Sequence, residues 1–572
     1  MEKIKRLRKI INQYHLDGYI IPKNDEFFGE YVEPNKDKLK YISNFSGSYG
    51  FALILKNKNY LFVDGRYTSQ AKYQSGKYFT IITIPKKLPS DIIGKRKLKI
   101  GFDPKLFTRK TLKILFKEKY SQLISINSNL IGDTRIKKIN NSNKKFYILS
   151  KKNVGQSYKT KVKKLINFLK DKKVDLQFIS ASENVAWLLN IRGKDSNFSP
   201  IPNSYLAIDI KKKIYFFCDL KKIDSLFKSN FKEFKFIDIE KIEIFLSKLI
   251  NKRILVDQST CSIFLENILK KYNKIIYYDD PIYSFKSIKT KTEIKNTVKS
   301  HIQDGAALTK FLFWVKNNFD KMSIDELSAE RKLFNFRKKN KDFKFLSFPT
   351  ISGVGSNAAI IHYKASRITN KKLKRGNIYL VDSGGQYKFG TTDVTRTISL
   401  DNKEKRVQEI FTRVLKGHIA VAKYKIKNNT VGAQIDLVAR KPLREINLDY
   451  AHGTGHGVGY FLNVHEGPQA ITKKNKVHLR AGMIVSNEPG YYENGKFGIR
   501  IENLISVKKN KKGYSFFNLT MAPIDKALIN KKILAKDEIN WINEYHNDVF
   551  KNLKKFMNKS ELLSLRQACS KI

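Results

Sequence analysis

Residues 381–397 read VDSGGQYKFGTTDVTRT and carry two aspartates, Asp382 and Asp393, in settings that direct a side chain inward. Asp382 ends an apolar run and precedes Ser-Gly-Gly, whereas Asp393 lies eleven residues later in an alternating, strand-like segment. Two glutamates have similar settings: Glu488 ends a strand-like run before Pro-Gly, and Glu502 ends GIRIE. Four carboxylates that converge repel one another and cannot all ionise unless cations lie between them. The pattern therefore predicts a pair of divalent metal ions, an arrangement typical of hydrolases.

His456, in the glycine-rich run HGTGHGVG, is the matching imidazole candidate. Singly, these residues have ordinary explanations, because an aspartate before Ser-Gly-Gly is often a turn residue and Arg500 could pair with Glu502 on the same strand face. Together, five candidates in similarly punctuated positions favour a metal site. Carboxylates with one imidazole and no thiolate suit Mn²⁺, with Co²⁺, Fe²⁺ or Zn²⁺ as alternatives. The predicted ligands are Asp382, Asp393, His456, Glu488 and Glu502.

The glycine run itself does not predict a phosphate site. Val458 and Tyr460 occupy the third-glycine position in the two possible registers of G-x-G-x-x-G, and no Walker-type GK[ST] follows. Four glycines in seven residues also disfavour a helix, but in an extended backbone His452 and His456 still lie on one side. One of these rings could then bind a metal while the other faces a substrate.

His362 and His465 have comparable surroundings, with apolar residues before them and Tyr363 or Glu466 after them. Either residue could be a buried, hydrogen-bonded structural histidine. Beside a metal centre, either could instead stabilise an oxyanion or hold a carbonyl group. The residues alone leave both interpretations open.

Composition narrows the class of protein. A chain of 572 residues with 41% hydrophobic residues predicts several globular domains. Three distant cysteines form no disulfide framework or zinc motif and suit a reducing cytoplasm. The net charge of +59 comes from lysines spread along the whole chain without a nucleic-acid-binding motif, so we expect no specific nucleic-acid partner.

No segment predicts membrane insertion or export. The chain has no stretch of about 20 apolar residues. The basic N-terminus lacks the apolar core of a signal peptide and has the helical spacing of a domain's first helix, with a targeting peptide as the weaker alternative. We therefore expect a cytoplasmic protein that does not bind a membrane.

The first half of the chain contains an internal duplication. A basic amphipathic helix leads into an apolar strand at residues 4–25 and again at residues 162–183, and a second apolar strand follows at residues 60–64 and 214–219. One α/β unit is therefore predicted twice, roughly 150–160 positions apart. A third region begins with a long helical pattern at residues 293–316, then turns to short strands, a helix at 405–425 and a helical, lysine-rich tail.

Several stretches of this chain are distinctive as a set. In the third region they are FPTISGVGSNAAIIHY (348–363), VDSGGQYKFGTTDVTRT (381–397), LKGHIAVA (415–422), HGTGHGVGYFLNVHEGP (452–468) and NEPGYYENGKFGIRIEN (487–503). Upstream are EYVEP (30–34), ISNFSGSYG (42–50), VDGRY (63–67) and ENVAWLLNIRG (183–193), and the tail contains INWINEYHNDVF (539–550). Together these stretches resemble the Xaa-Pro aminopeptidase (aminopeptidase P) family of pita-bread metallopeptidases, peptidase family M24. The upstream stretches resemble the first two domains of its long, three-domain cytosolic form, and the tail is similar to that form's C-terminal extension.

The resemblance implies an α/β fold with an α+β catalytic domain. Two related creatinase/prolidase N-terminal-type domains would occupy residues 1–136 and 137–285. A pita-bread metallopeptidase domain would follow at residues 286–510, and a C-terminal extension at residues 511–572 would pack on it. Similar proteins form homodimers, so a homodimer is expected.

The implied activity is that of a hydrolase: a proline-specific aminopeptidase with two Mn²⁺ per subunit that releases the N-terminal residue from peptides with proline second. By position, Asp382 would hold one metal, Asp393 and Glu502 would bridge both, and His456 and Glu488 would complete the other. A hydroxide between the metals would attack the scissile carbonyl while Glu488 handles the proton.

Four further residues have implied roles beside the metals. His362 and His465 would steady the carbonyl and the oxyanion, His452 would line the substrate site, and Arg500 would hold a ligand carboxylate. The alternatives are a prolidase that splits Xaa-Pro dipeptides, which the two duplicated N-terminal domains disfavour, and a catalytically inactive pita-bread binding protein, which the complete ligand set disfavours.

Overall fold

A computed structural model describes residues 2–117, 122–128, 130–131, 144–511 and 513–572. The chain divides into two compact units, one made of Met1–Ser150 and Gln156–Ile282 and the other of Lys151–Gly155 and Tyr283–Ile572. None of the helices in the described ranges has the length and apolar composition needed to cross a bilayer.

The first unit begins with a mixed sheet whose strands are buried on both faces. Tyr19 and Ile21 of its first strand pack into one apolar core, and Ile20 packs into a second core on the opposite face. The first helix contributes Ile4 and Leu7 to one of these cores, as its spacing predicts. The elements are α1 (Glu2–Gln13), β1 (Gly18–Pro22), α2 (Lys38–Ser43), β2 (Phe51–Leu55), β3 (Asn59–Asp64), α3 (Thr68–Ser75), β4 (Thr80–Ile84), α4 (Pro89–Ile93), β5 (Lys99–Phe102), α5 (Arg109–Phe116) and β6 (Gln122–Ser125).

The rest of this unit forms a second sheet. The elements of the following segment are β7 (Tyr147–Ile148), α6 (Lys151–Val154), α7 (Tyr158–Asp171), β8 (Leu176–Ile179), α8 (Ser182–Leu189), β9 (Ile191–Arg192), β10 (Tyr205–Asp209), β11 (Ile214–Cys218), α9 (Ser225–Ser229), β12 (Phe234–Asp238), α10 (Ile242–Leu246), β13 (Arg253–Val256), α11 (Ile263–Lys270), β14 (Lys274–Tyr277) and α12 (Pro281–Ser287). Of these, α6 belongs to the second unit, and α12 crosses from the first unit to the second after Ile282.

The two sheets have one topology. Their strand orders are β4-β3-β2-β1-β5-β6 and β12-β11-β10-β8-β13-β14. In the first sheet, β2 runs antiparallel to its neighbours β3 and β1, and the other three pairs of neighbouring strands are parallel. In the second sheet, β10 is likewise antiparallel to β11 and β8, and the other three pairs are parallel. The predicted duplication is therefore confirmed, and the two strand pairs that indicated it, β1 with β8 and β3 with β11, occupy equivalent positions. The predicted boundary between residues 136 and 137 lies outside the described residues.

The second unit contains two successive groups of two helices followed by strands. The first group is α13 (Lys291–Asn318), α14 (Glu326–Lys338), β15 (Phe343–Leu346), β16 (Ile351–Val354), β17 (Asn377–Ser383), β18 (Gly385–Tyr387), β19 (Gly390–Thr391) and β20 (Val394–Leu400). The second is α15 (Lys405–Ala422), α16 (Gly432–Arg444), β21 (Gly455–Gly457), β22 (Glu466–Ile471), β23 (Ile484–Asn487), β24 (Gly490–Glu493), β25 (Phe497–Arg500), β26 (Asn503–Asn510) and β27 (Gly513–Asn518). Helices α17 (Lys536–Leu553) and α18 (Lys559–Ala568) end the chain.

Both long helices of this unit agree with the sequence pattern. Thr290 and Glu293 form a reciprocal capping box that satisfies two free N–H groups at the start of α13. Helix α15 begins at Lys405, as predicted, and its apolar face enters a core that also contains Tyr545 and Val549 of α17. The C-terminal segment thus shares a core with the preceding helices of its unit.

Strand register brings the acidic residues of this unit toward one place. In the antiparallel pair of β17 and β20, Asp382 faces Thr395. In the pair of β23 and β26, Asn487 faces Asn503, so Glu488 and Glu502 are the next two residues beyond the end of that ladder. The N–H of Glu502 donates to Thr395 O at 3.2 Å and so connects the two sheets.

Candidate metal centre

Asp382 lies in β17 with its side chain buried. Its Oδ2 accepts a hydrogen bond of 2.6 Å from Arg500 Nη2, whereas its Oδ1 is buried and has no hydrogen-bond partner among the described residues. A buried carboxylate oxygen without a partner costs free energy unless a cation or a proton occupies that position. This oxygen is therefore free to bind a metal ion.

Asp393 and His456 face each other from different sheets. His456 Nε2 lies 3.4 Å from Asp393 Oδ2 and 3.6 Å from Glu488 Oε1. His456 Nδ1 lies 2.9 Å from Gly457 O and donates to it, so Nε2 is the ring nitrogen that faces the carboxylates. Ligand atoms of Asp393, His456 and Glu502 all lie within 4.8 Å of one another.

Hydrogen bonds hold the two glutamates in place. Glu488 Oε1 accepts from Ser486 Oγ at 3.1 Å, and Glu502 Oε2 accepts from Thr395 Oγ1 at 2.7 Å. Glu502 is only 1% exposed. The structure therefore brings Asp393, His456 and Glu502 together most closely, with Glu488 beside His456, whereas Asp382 is connected to them through its effect on the pKa of Glu502.

The electrostatics of the cluster fit a cation site. Burial raises the pKa of Glu502 well above its usual range, and the charges of Asp393 and Asp382 raise it further. Burial also raises the pKa of Asp382, and it raises the pKa of Glu488 to about 7. Such shifts are expected where several carboxylates are buried close together, and here burial outweighs the opposing charge of Arg500. A donor set of carboxylates and one imidazole fits a divalent ion of the Mn²⁺ type.

A chain of hydrogen bonds leads from Asp382 to His452. Arg500 Nη1 donates to Tyr492 Oη at 2.6 Å, and the Tyr492 hydroxyl lies 2.9 Å from His452 Nε2. Burial raises the pKa of Tyr492 to about 12, so the phenol stays protonated. Its hydroxyl therefore donates a hydrogen bond to His452 Nε2. His452 Nδ1 lies 3.9 Å from Glu488 Oε2. Sequence analysis did not single out Tyr492; its position four residues after Glu488 was the only available signal.

His465 lies next to the predicted ligand His456. The two ring centroids are 4.4 Å apart with an edge-to-face angle of 71°. The following residue, Glu466, is held by Lys289 Nζ at 2.6 Å and by Lys286 Nζ at 3.3 Å, and all three side chains are about 1% exposed. This buried triad fixes the backbone next to His465, and the sequence pattern did not reveal it.

His362 follows a short 3₁₀ helix, Gly355–Ala359, and is half-buried. That helix packs directly on β25, because a Cβ atom at Gly498 would lie 1.9 Å from Ala358 O. On the other side, the hydroxyl of Tyr363 donates to the buried Glu326 Oε2 at 2.8 Å. His362 therefore lies in a short segment whose two ends are held, by the packing of Ala358 on β25 and by the hydrogen bond of Tyr363.

The glycine run of residues 452–459 serves close packing of the backbone. A Cβ atom at Gly455 would lie 1.9 Å from Ser486 O, and one at Gly457 would lie 2.3 Å from Glu466 O. Glycine at these positions lets β21 approach β22 and β23 and so brings His456 to the carboxylates.

Models of known protein families match nearly the whole chain. Two models of the creatinase/prolidase N-terminal domain match residues 3–135 and residues 137–293. The model of metallopeptidase family M24 matches residues 295–509, and that of the C-terminal region of peptidase M24 matches residues 512–572. Xaa-Pro aminopeptidase 1 of Dictyostelium discoideum is 37% identical over 591 aligned positions, which span 96% of this chain and 92% of that protein. The chain belongs to the Xaa-Pro aminopeptidase family.

Other members of the family match over similar lengths. A probable Xaa-Pro aminopeptidase P of Laccaria bicolor is 36% identical over 100% of this chain and 93% of that protein. The solved X-prolyl aminopeptidase of Caenorhabditis elegans, described as a cytosolic enzyme with a di-nuclear active site, has a TM-score of 0.95 and 30% identity over 100% of this chain and 99% of that chain. The prolidase of Pyrococcus horikoshii covers only 64% of this chain, with a TM-score of 0.52 and 25% identity.

These findings confirm the predicted family, enzyme class and fold class. Two related α/β domains precede an M24 pita-bread domain, and the protein is a metallopeptidase of the Xaa-Pro aminopeptidase family. The domain boundaries and the roles of single residues stay predictions.

Proposed function

We propose that the protein releases the N-terminal residue from peptides whose second residue is proline, with two divalent metal ions in the cluster around Asp393. The observation that carries the proposal is the convergence of Asp393, His456 and Glu502, whose ligand atoms lie within 4.8 Å of one another. The substrate class is supported by the names of the relatives that match along nearly the whole chain.

Five residues would hold the ions: Asp382, Asp393, His456, Glu488 and Glu502. When bound, such ions supply Lewis acidity and make a water molecule nucleophilic at neutral pH. Two Mn²⁺ per subunit is the proposed content, because the donors are mainly carboxylates and the related C. elegans enzyme has a di-nuclear site. The unpartnered Oδ1 of Asp382 supports a ligand role for that residue.

The chain's own residues would then guide the reaction. Glu488, whose Oε2 faces His452, would take the proton of the attacking water and return it to the proline nitrogen that leaves. His362 and His465 would hold the scissile carbonyl oxygen as it gains negative charge. His452 would bind the substrate beside Glu488, with its ring oriented by the hydroxyl of Tyr492.

Arg500 would act through Asp382. Its guanidinium is buried, and it donates to Asp382 Oδ2 at 2.6 Å and to Tyr492 Oη at 2.6 Å. One cation therefore orients a metal ligand and, through the phenol, the substrate-binding His452. Neutralising part of the cluster charge would also lower the cost of burying four carboxylates.

The test compares substrates and metal states of the full-length protein. We expect hydrolysis of Xaa-Pro-Xaa tripeptides, loss of activity after chelation, and recovery with Mn²⁺. A matching Xaa-Ala-Xaa tripeptide is the control for proline specificity. Turnover confined to Xaa-Pro dipeptides would favour the prolidase alternative instead. Binding of peptides without turnover at any metal content would favour the inactive binding protein.

Location and assembly are further parts of the proposal. A cytoplasmic location is supported by the description of the C. elegans relative as cytosolic. A homodimer is supported by the family resemblance. The spread of the lysines along the chain supports the absence of a specific nucleic-acid partner, and no membrane partner is proposed. Sedimentation equilibrium would check the dimer, since a monomer at micromolar concentration would contradict it.

A further inference from the structure

Arg440 of α16 forms a buried ion pair outside the carboxylate cluster. It is 6% exposed, and its partner Asp436 is fully buried one helical turn earlier. Arg440 Nε donates to Asp436 Oδ2 at 2.8 Å, and Nη2 donates to Asp436 Oδ1 at 3.1 Å. This two-pronged geometry is the strong form of an arginine–carboxylate pair.

The remaining donors of Arg440 all reach one irregular segment of backbone. Nη1 donates to Asp449 Oδ1 at 2.7 Å and to Tyr450 O at 2.8 Å, and Nη2 donates to His452 O at 2.6 Å. A guanidinium has five N–H groups, so every donor of Arg440 is used. The guanidinium carbon also lies 4.0 Å from the centre of the Tyr450 ring.

Asp436 holds the same segment from its other end. Its Oδ1 accepts from Thr454 Oγ1 at 2.7 Å, and Thr454 Oγ1 lies 2.5 Å from Tyr450 Oη. Thr454 O in turn accepts from the N–H of Glu488 at 2.8 Å. The Asp436–Arg440 pair therefore fixes residues 449–454, which contain neither helix nor strand.

This segment carries His452, and its backbone determines where the imidazole lies. His452 Nδ1 is 2.8 Å from Gly453 O, so the orientation of the next peptide plane selects the tautomer. Nε2 is then the acceptor of the Tyr492 hydroxyl. Because Arg440 Nη2 binds the carbonyl oxygen of His452 itself, a shift of that guanidinium would move the ring relative to Glu488.

We propose that Arg440 is a positioning residue for the peptidase reaction and that it acts through His452. The proposal rests on the substrate-binding role of His452 given above. Arg440→Lys would keep the charge, but an ammonium has at most three donors and cannot reach five acceptors in one plane. The segment would then lose at least part of its anchoring, whereas the hydrogen bonds of Asp382 with Arg500 and of Glu502 with Thr395 do not involve Arg440.

The experiment is a double-mutant cycle on kcat/KM for an Xaa-Pro tripeptide at saturating Mn²⁺. We expect Arg440→Lys to lower kcat/KM by about 10- to 100-fold, as for a misplacement of about 1 Å in an active site. In the background of His452→Gln, the same change should have almost no further effect. The matched control is Arg413→Lys, because Arg413 of α15 also donates to backbone near the end of α16, at Pro442 O, and its other partners among the described residues are Glu409 and Glu445 rather than residues 449–454. It should leave kcat/KM nearly unchanged.

The outcomes separate this inference from the proposed function. Equal losses from Arg440→Lys in the wild-type and His452→Gln backgrounds would overturn the inference, as would equal losses from Arg440→Lys and Arg413→Lys. If Arg440→Lys does not fold, Asp436→Asn takes its place in the cycle. A wild-type protein without Xaa-Pro activity would refute the proposed function. Hydrogen exchange would still test the anchoring, since unchanged protection of residues 449–454 in Arg440→Lys contradicts it.

Discussion

Asp280 provides a quantitative test of how burial and charge are balanced in the middle domain. It follows β14 and is 3% exposed. Its Oδ1 accepts from Gln177 Nε2 at 2.9 Å, and its Oδ2 accepts from Asn184 Nδ2 at 2.7 Å. Burial outweighs these bonds and raises the pKa of Asp280 from 3.8 to about 6.

The sign and size of the effect on stability follow by linkage. The folded protein binds the Asp280 proton more tightly than the unfolded chain does, so the protonated carboxyl group adds to the free energy of unfolding. This stabilisation is complete below pH 3.8 and is lost as pH rises through 6. At about 1.4 kcal/mol per pH unit, the pKa difference corresponds to roughly 3 kcal/mol. Asp280→Asn cannot ionise, and an amide flip at Asn184 can present an acceptor to the new side chain. The variant should therefore gain about 3 kcal/mol relative to the wild type between pH 4 and pH 7.

The assay is urea unfolding followed by fluorescence in variants whose only tryptophan is Trp187, which lies in the middle domain and is 6% exposed. This reporter avoids treating a chain of several domains as a two-state system. Comparing Asp280→Asn with the parent cancels the contributions of other titrating groups. If the two free energies of unfolding stay parallel from pH 4 to pH 7, the carboxyl group has an ordinary pKa in the fold and the reasoning is wrong.

Three further predictions concern the second unit. Asp393→Asn should reduce kcat by more than about 1000-fold and lower the bound metal content measured by elemental analysis, while circular dichroism stays normal; near-normal turnover would contradict its bridging role. Arg337→Met should cost about 3–5 kcal/mol in urea unfolding, since it leaves Asp304, bound at 2.7 Å, as an unpaired buried charge; a loss below about 1 kcal/mol would contradict this. Glu466→Gln should lower both thermal stability and kcat/KM, because two buried lysines lose their counter-charge beside His465; a fully active and stable variant would show that the triad positions nothing.

Sequence reasoning succeeded where the signal is local. The duplicated domains were predictable because a helix followed by an apolar strand leaves a pattern in consecutive residues, and β1 and β8 indeed occupy equivalent places. The acidic cluster was predictable for a related reason. Asp382 and Glu488 each lie at or next to a strand end marked by glycine or proline, and such punctuation is visible without knowing which strands are neighbours.

The residues that sequence reasoning missed depend on neighbours far away in the chain. Tyr492 is important because its hydroxyl bonds to both Arg500 and His452. Glu466 is important because buried lysines some 180 positions earlier form ion pairs with it. No periodicity encodes these contacts, since any tyrosine or glutamate in a strand would give the same local pattern. Arg440 is a similar case: its spacing from Asp436 predicts an ordinary helical ion pair.

A physical reason connects these missed residues. A metal cluster of carboxylates can be recognised from its charges, but each histidine beside it needs a backbone that does not move, and irregular backbone has no ladder of its own hydrogen bonds. Buried charged groups supply the missing bonds: Glu326 accepts from Val354 N and from Lys371 N around His362, Arg440 donates to the backbone at His452, and Glu466 is held between lysines next to His465. Arg440 and Glu326 have most of their hydrogen-bonding capacity satisfied, and Glu466 is paired with two buried lysines, so the loss of any of the three is costly. We therefore infer two kinds of buried charge in this domain: carboxylates that would bind cations, and ion-paired or hydrogen-bonded groups that hold the loops of the histidines.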